Sequence, residues 1–324
     1  MMISMLAPRG ALSLALVLSC SLAASCAGTA KDTAFTPRQS VLVDSTSMDM
    51  SYESGSDVAL EWVSGGSLAM VANGQLTFVQ GGINTLEVPI ETGPWPVELA
   101  FGGDLLAVCF PEQRIEIYQL DVDGLPLLSV EPETLAQVLP IVTIEISSLA
   151  GGPFDKSEPS PRRVFAMRGD GNLIAMTGPT GNVNFGNPRT GWPNPIVSIR
   201  LPKDSGIPLA TRFRGAGSVD GLEGEMVVTA QLEDGSLVEW VLNSELTLWS
   251  DAKPIRHLAD VDSTGGSYAF VSPENPAEVV CLNAAGEQLW TSAPSTESVD
   301  AIAGTTMGNV AVAAGGKLTV LAPR

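Results

Sequence analysis

Leu68-Ala69-Met70-Val71-Ala72-Asn73-Gly74-Gln75-Leu76-Thr77-Phe78-Val79-Gln80 is a pair of apolar runs hinged on Asn-Gly. Asn-Gly accepts the positive φ that a two-residue hairpin turn demands. The stretch therefore reads as two antiparallel strands, Ser67 to Ala72 and Gln75 to Gln80. The first is apolar at nearly every position, the pattern of a strand covered on both faces. Five more turn signals sit between similar runs: Pro111-Glu112-Gln113, Gly169-Asp170-Gly171, Asp234-Gly235, Pro273 to Pro276 and Gly315-Gly316. Three of the five intervals between these turns are close to forty residues, about the length of one propeller blade. A small sheet returning at that period cannot bury its faces alone and must pack against copies of itself.

Working outward, the strands fall into blades. Blade one reads Asp57 to Val63, Ser67 to Ala72, Gln75 to Gln80 and Ile83 to Ile90. Blade two reads Trp95 to Phe101, Asp104 to Phe110, Arg114 to Leu120 and Leu125 to Val130. Blade three has a hairpin at Val164 to Met167 and Leu173 to Thr177, with Ile141 to Ile146 as its first strand. Blade four has Met226 to Leu232, Ser236 to Leu242 and Glu245 to Trp249. Blade five runs from Pro254 to Asp260 through Gly266 to Val271 and Ala277 to Leu282 to Glu287 to Thr291. The last blade shows three strands, Val299 to Ala303, Val310 to Ala314 and Lys317 to Leu321, before the chain stops at Arg324. Its fourth strand is expected from the apolar run Ser40 to Asp44, which closes the ring and removes an unpaired edge. The expected fold is an all-β propeller of six four-stranded antiparallel blades. Two insertions, at about 151–161 and 178–208, account for the long central intervals; a seventh, degenerate blade is the alternative. Helical periodicity is confined to Glu133 to Leu139, and 33 Gly with 23 Pro suit many turns between short strands.

Leu282-Asn283-Ala284-Ala285-Gly286-Glu287-Gln288-Leu289-Trp290 resembles the repeat of PQQ-like propellers, where a Gly precedes a strand ending in a Trp that docks against the next blade. Leu242-Asn243 followed by Leu246 to Trp249 is similar, one residue shorter. The resemblance implies the propeller fold over these two blades. It does not imply the quinone, because envelope lipoproteins of this layout include non-enzymatic assembly factors.

The amino end is an address. Arg9 precedes an apolar run, Ala11 to Ala24, too short to span a bilayer, which needs about 20 residues. Ala23-Ala24-Ser25-Cys26 resembles a bacterial lipobox, so Cys26 is the expected lipidation site and residues 27–38 a tether. A secretory signal cleaved after Ala27 or Ala30 is the alternative. The chain has four cysteines; Cys109 and Cys281 lie in apolar strands far apart in sequence and read as buried free thiols.

The inventory excludes several chemistries. His257 is the single histidine, so no multi-histidine metal centre exists, and no nucleophile elbow or phosphate-binding loop is found. Asp121-Val122-Asp123-Gly124 and Asp260-Val261-Asp262 read as turns rather than calcium loops, and Arg168-Gly169-Asp170 as a hairpin tip. No cofactor is expected. Arg9 is the only charged residue before Cys26, so the remainder carries 16 basic and 36 acidic residues, a balance of −20. Residues 156–214 alone hold nine basic and three acidic residues. Arg189, Trp192, Arg200, Lys203, Arg212 and Arg214 in that segment form the candidate binding face. It suits other envelope proteins or an anionic envelope polymer; the competing reading pairs these arginines with carboxylates of neighbouring blades. Nucleic acid is repelled by the acidic body. The expected function is a lipid-anchored, non-catalytic scaffold facing the periplasm or cell exterior. A hydrolase or lyase acting on a sugar or lactone through tunnel carboxylates, with Asp57, Asp104 and Asp260 at blade starts, is the rival.

Overall fold

Asn73 and Gly74 hold φ of 53° and 73°, the paired positive values of the expected hairpin turn, and Gly315 and Gly316 repeat them at 57° and 73°. The structure is a computed structural model describing residues 43–53, 57–63, 66–81, 83–90, 97–110, 114–128, 138–146, 164–177, 181–193, 197–214, 224–255, 261–262, 268–282, 287–304 and 309–323. Its first strand is β1 (Val43–Ser51). Blade I follows as β2 (Ala59–Trp62), β3 (Leu68–Ala72), β4 (Gln75–Gln80) and β5 (Ile83–Pro89). Blade II is β6 (Glu98–Gly102), β7 (Leu105–Phe110), β8 (Arg114–Gln119) and β9 (Val142–Glu145). Blade III is β10 (Val164–Met167), β11 (Ile174–Thr177), β12 (Asn182–Gly186) and β13 (Val197–Arg200). Blade IV is β14 (Ile207–Arg214), β15 (Glu225–Gln231), β16 (Leu237–Leu242) and β17 (Lys253–Ile255). Blade V is β18 (Val261–Asp262), β19 (Tyr268–Val271), β20 (Val279–Leu282) and β21 (Gln288–Ser292). Blade VI is β22 (Val299–Gly304), β23 (Val310–Ala314) and β24 (Lys317–Pro323), completed by β1. The fold is a six-bladed β-propeller of four-stranded antiparallel sheets.

Period-two alternation builds the ring. Leu68, Met70 and Ala72 of β3 pack with Ala311, Ala313 and Leu318 of blade VI, while Ala69 and Val71 pack with Leu106, Val108 and Phe110 of blade II. The next blade repeats the device: Leu105, Ala107 and Cys109 of β7 face Phe165, Ile174 and Met176 of blade III. Strand β7 is buried at every position because each face meets a neighbouring blade. Each fully buried Leu, Ile or Phe contributes about 1.5–3 kcal/mol, so the seams carry the stability. The innermost strands adjoin one another: β2 touches β22 and β6, β10 touches β6 and β14, and β22 touches β18.

Ring closure comes from the amino end, as expected, but by a later and more polar segment. Strand β1 pairs antiparallel with β24, Val43 opposite Pro323 and Ser47 opposite Thr319. Of the expected Ser40 to Asp44, only Val43 and Asp44 belong to it. An outermost strand faces solvent, and Ser45, Thr46 and Ser47 are exposed, so an apolar run was the wrong sign to seek. Behind β1, the Tyr52 amide donates to the Gly316 carbonyl at 3.1 Å and its hydroxyl to Asp300 Oδ2 at 2.5 Å.

Outer strands are also where blade boundaries differ from expectation. Blade II ends in Val142–Glu145, not Leu125 to Val130, and so takes the strand expected to open blade III. The Gly169–Gly171 turn joins the two inner strands of blade III. Residues 178–208, read as an insertion, contain β12 and β13. Lys253–Ile255 closes blade IV and Val261–Asp262 opens blade V, whereas Glu245 to Trp249 is a turn ending in a bridge from Trp249 to Leu242. Cys26, His257, Asp260, the 151–161 insertion, the Pro111–Gln113 turn and the Glu133 to Gln137 part of the expected helix lie outside the described residues; Val138 and Leu139 are not helical.

Candidate binding surface

Blade III carries the basic segment, and its turns decide where each cation points. After β12 the chain makes a tight loop in which the Gly191 amide donates to the Asn187 carbonyl at 2.7 Å and the Arg189 amide to Asn187 Oδ1 at 2.8 Å. That loop aims Arg189 across the seam, where its guanidinium pairs with Asp104 of blade II. Asp104 also accepts from Gln119 Nε2 at 3.0 Å. Two residues singled out for rival functions thus meet each other.

Beside that pair, Trp192 is half-buried and packs on the apolar cluster between blades II and III. Its ring fills the space a side chain at Gly186 would need. Its Nε1 is buried with no hydrogen-bond partner. The neighbouring Arg168-Gly169-Asp170 turn is closed as well. The Gly169 carbonyl accepts from the Gly103 amide at 2.7 Å, and Arg168 bonds Asp170, which holds that carboxyl below its usual range.

Arg212 stands on the inner strand β14 and turns into its own blade, donating to Glu239 and, at 3.4 Å, to Thr229 Oγ1. Glu239 is buried, so the pair is committed to the fold; removing one partner of such a pair costs about 3–5 kcal/mol. Arg214 ends the same strand, and its side chain lies outside the described residues.

Arg200 and Lys203 differ. Both are exposed, and among the described residues neither has a carboxylate in ion-pair reach. Leu201 between them is buried against the blade III–IV cluster and fixes the chain, while Asp204, at φ 61°, turns it back. The outer edge of β13 is held from blade IV. Asn243 Oδ1 accepts from the Thr247 and Leu248 amides at 2.7 and 3.0 Å, a turn that swings Trp249 outward. The Trp249 indole then donates to the Arg200 carbonyl at 3.0 Å, and next to it Leu248 is 70% exposed. Val197 at the start of β13 is exposed too.

The candidate face therefore divides. Arg189 and Arg212 meet carboxylates within the chain, Trp192 closes a seam, and Arg200 with Lys203 remains an open basic rim bordered by Val197 and Leu248. Trp249 departs from the repeat it resembles: it docks onto Arg200 of the preceding blade III, not onto the next blade, because the Asn243 turn swings it back to the outer edge of β13. Trp290 is buried between blades V and VI, the docking expected of its repeat.

No family model matches this chain, and no curated protein is similar to it. Among solved structures, a chain of the crystal structure of a mitotic checkpoint complex aligns over 95% of this chain and 98% of its own, at 14% identity and a TM-score of 0.49. The β-propeller domain of Myceliophteria thermophila Cps50 (Swd1) aligns over 82% and 83%, at 17% identity and a TM-score of 0.44. At these values the likeness concerns architecture alone, and no residue role passes from either to this chain.

Proposed function

We infer that the chain is a lipid-anchored, extracytoplasmic propeller that holds other envelope proteins without catalysing a reaction, engaging an acidic partner surface through Arg200 and Lys203. The observation that carries this reading is the exposed basic rim on a chain whose net charge is −19. Every other arginine of the segment whose side chain is described meets a carboxylate of the chain. Rim charges act on capture more than on folding, since exposed cations contribute about 0–1 kcal/mol to stability.

Capture from solubilised membranes tests it. Arg200→Glu with Lys203→Glu is expected to keep the melting temperature and lose most of the captured partner, and raised salt is expected to do the same to the parent chain. In the same preparations Cys26→Ser is expected to release the protein from membranes with a mass lacking lipid. Capture unchanged by the double reversal ends the rim reading, and unchanged mass and membrane association in Cys26→Ser ends the anchor. The rival enzyme reading is left with Asp57, which is exposed, because Asp104 is engaged by Arg189 and Gln119 and Asp260 lies outside the described residues; turnover of a sugar or lactone lost in Asp57→Asn would favour it.

A further inference from the structure

Between β8 and β9 the chain leaves blade II for a stretch whose described parts, 120–128 and 138–141, are tied to the sheet. The Leu120 amide donates to the Asp104 carbonyl at 2.8 Å, Leu127 to Gln119 at 2.9 Å and Ile141 to Ile117 at 2.7 Å. At the tip, Asp121 Oδ1 accepts from the Asp123 and Leu125 amides, each at 2.9 Å. Ser67 of blade I donates to the Asp123 carbonyl at 2.6 Å, so two blades hold this turn.

This fastened element displays apolar side chains. Val122, Leu127, Leu128, Leu139 and Ile141 are between 46% and 87% exposed, five of the eight exposed large hydrophobics among the described residues. Leu127 and Ile141 are neighbours, since their amides reach carbonyls two residues apart on β8, about 7 Å at strand rise. Single exposed apolar residues are ordinary, whereas a group on one anchored element marks a contact surface.

The charge on it selects the occupant. Its described parts, 120–128 and 138–141, contain no Lys or Arg and two acids, Asp121 and Asp123, and the acid nearest on β8, Glu116, is taken up by Arg114. Asp121 and Asp123 flank Val122 directly. We propose that this acid-rimmed apolar surface of blade II docks a partner segment in which apolar and basic residues alternate. Its apolar side chains cover Leu127 and Ile141 while its cations meet the rim. An anionic bilayer is repelled by the same acids. The site is independent of the Arg200–Lys203 rim, with which it shares no residue and whose charge is opposite.

The probe is a fluorescent ten-residue peptide alternating Leu and Lys, titrated into the full-length purified chain, with a Leu–Glu peptide and a Ser–Lys peptide alongside. The Leu–Lys peptide is expected to bind and the other two to bind at least ten-fold more weakly. Leu127→Ser with Ile141→Ser is expected to weaken binding ten-fold or more at an unchanged melting temperature, and Asp123→Asn several-fold. Arg200→Glu with Lys203→Glu is expected to leave it unaltered. Binding untouched by the Leu127–Ile141 pair of changes overturns the proposal. So does sedimentation showing self-association, or flotation with zwitterionic vesicles, that the same pair of changes abolishes, because the surface would then serve a second copy or a membrane.

Discussion

Glu61 lies on the innermost strand of blade I, opposite Ala69, on the face that meets blade II. Burial pushes its carboxyl up to about 8. An acid raised in the folded state holds its proton there while the unfolded chain has lost it, from about pH 4.5 to 8. Folding is therefore favoured most below that window, weakens as pH rises through it, and levels off above about 8. Glu61→Gln removes the slope. The variant is expected to match the parent within about 1 kcal/mol at pH 5 and to exceed it by a few kcal/mol at pH 9, at roughly 1.4 kcal/mol per pKa unit. Urea midpoints at the two pH values check this, and an equal gap at both means the carboxyl ionises freely in the folded chain. Glu61 is absent from the sequence-derived candidates although it stands amid Ala59, Leu60 and Trp62 in one strand, and the pairings of the cations have no local sign at all. The acid that meets Arg189 is 85 residues away and the one that meets Arg212 is 27 away, and no local pattern encodes either pairing.

At the scale of strands, legibility followed burial. Strands β3, β4, β7, β23 and β24 lie where the hairpin pattern put them, because both partners are apolar and the turn chemistry is explicit. Outer strands β9, β13 and β17 are short and mixed in composition, and the longer β1 is exposed and polar along Ser45 to Ser47, so hydrophobic patterning has little purchase on them. Blade III was misframed for a related reason. Both its inner strands are fully buried, which imitates a central hairpin. Strand β1 matters most among the outer strands because it alone comes from the other end of the chain. Deleting 43–51 bares the β24 edge and unseats Tyr52, and is expected to lower the melting temperature by well over 10 °C or to yield aggregates. Tyr52→Phe, which loses only the Asp300 bond, is expected to cost about 1 kcal/mol. A deletion variant melting like the parent would show that β1 merely decorates blade VI.

For the whole molecule, the relevant property is that each seam is shared by two blades, so no blade is stable in isolation. Cys109 faces blade III and Cys281 faces blade VI, both buried and neither in a disulfide, and burial pushes the Cys109 thiol well up. Neither is expected to react with a thiol reagent in the native chain, and both are expected to become reactive over the same denaturant range. Peptide mapping of the labelled sites checks it; Cys281 labelling well before Cys109 would show that blades open one at a time. Closure by β1 also sets an order of events during synthesis. A chain emerging amino end first presents Val43 to Ser51 before the other described strands, yet the strand they pair with is the last of these to be made. Until Lys317 to Pro323 arrive, that edge has no mate, and the ring waits open for its final segment. The cell must keep a nascent β1 from finding the wrong neighbour while all the blades between it and β24 are made, so exposure to misassembly is longest for the strand that emerges before them.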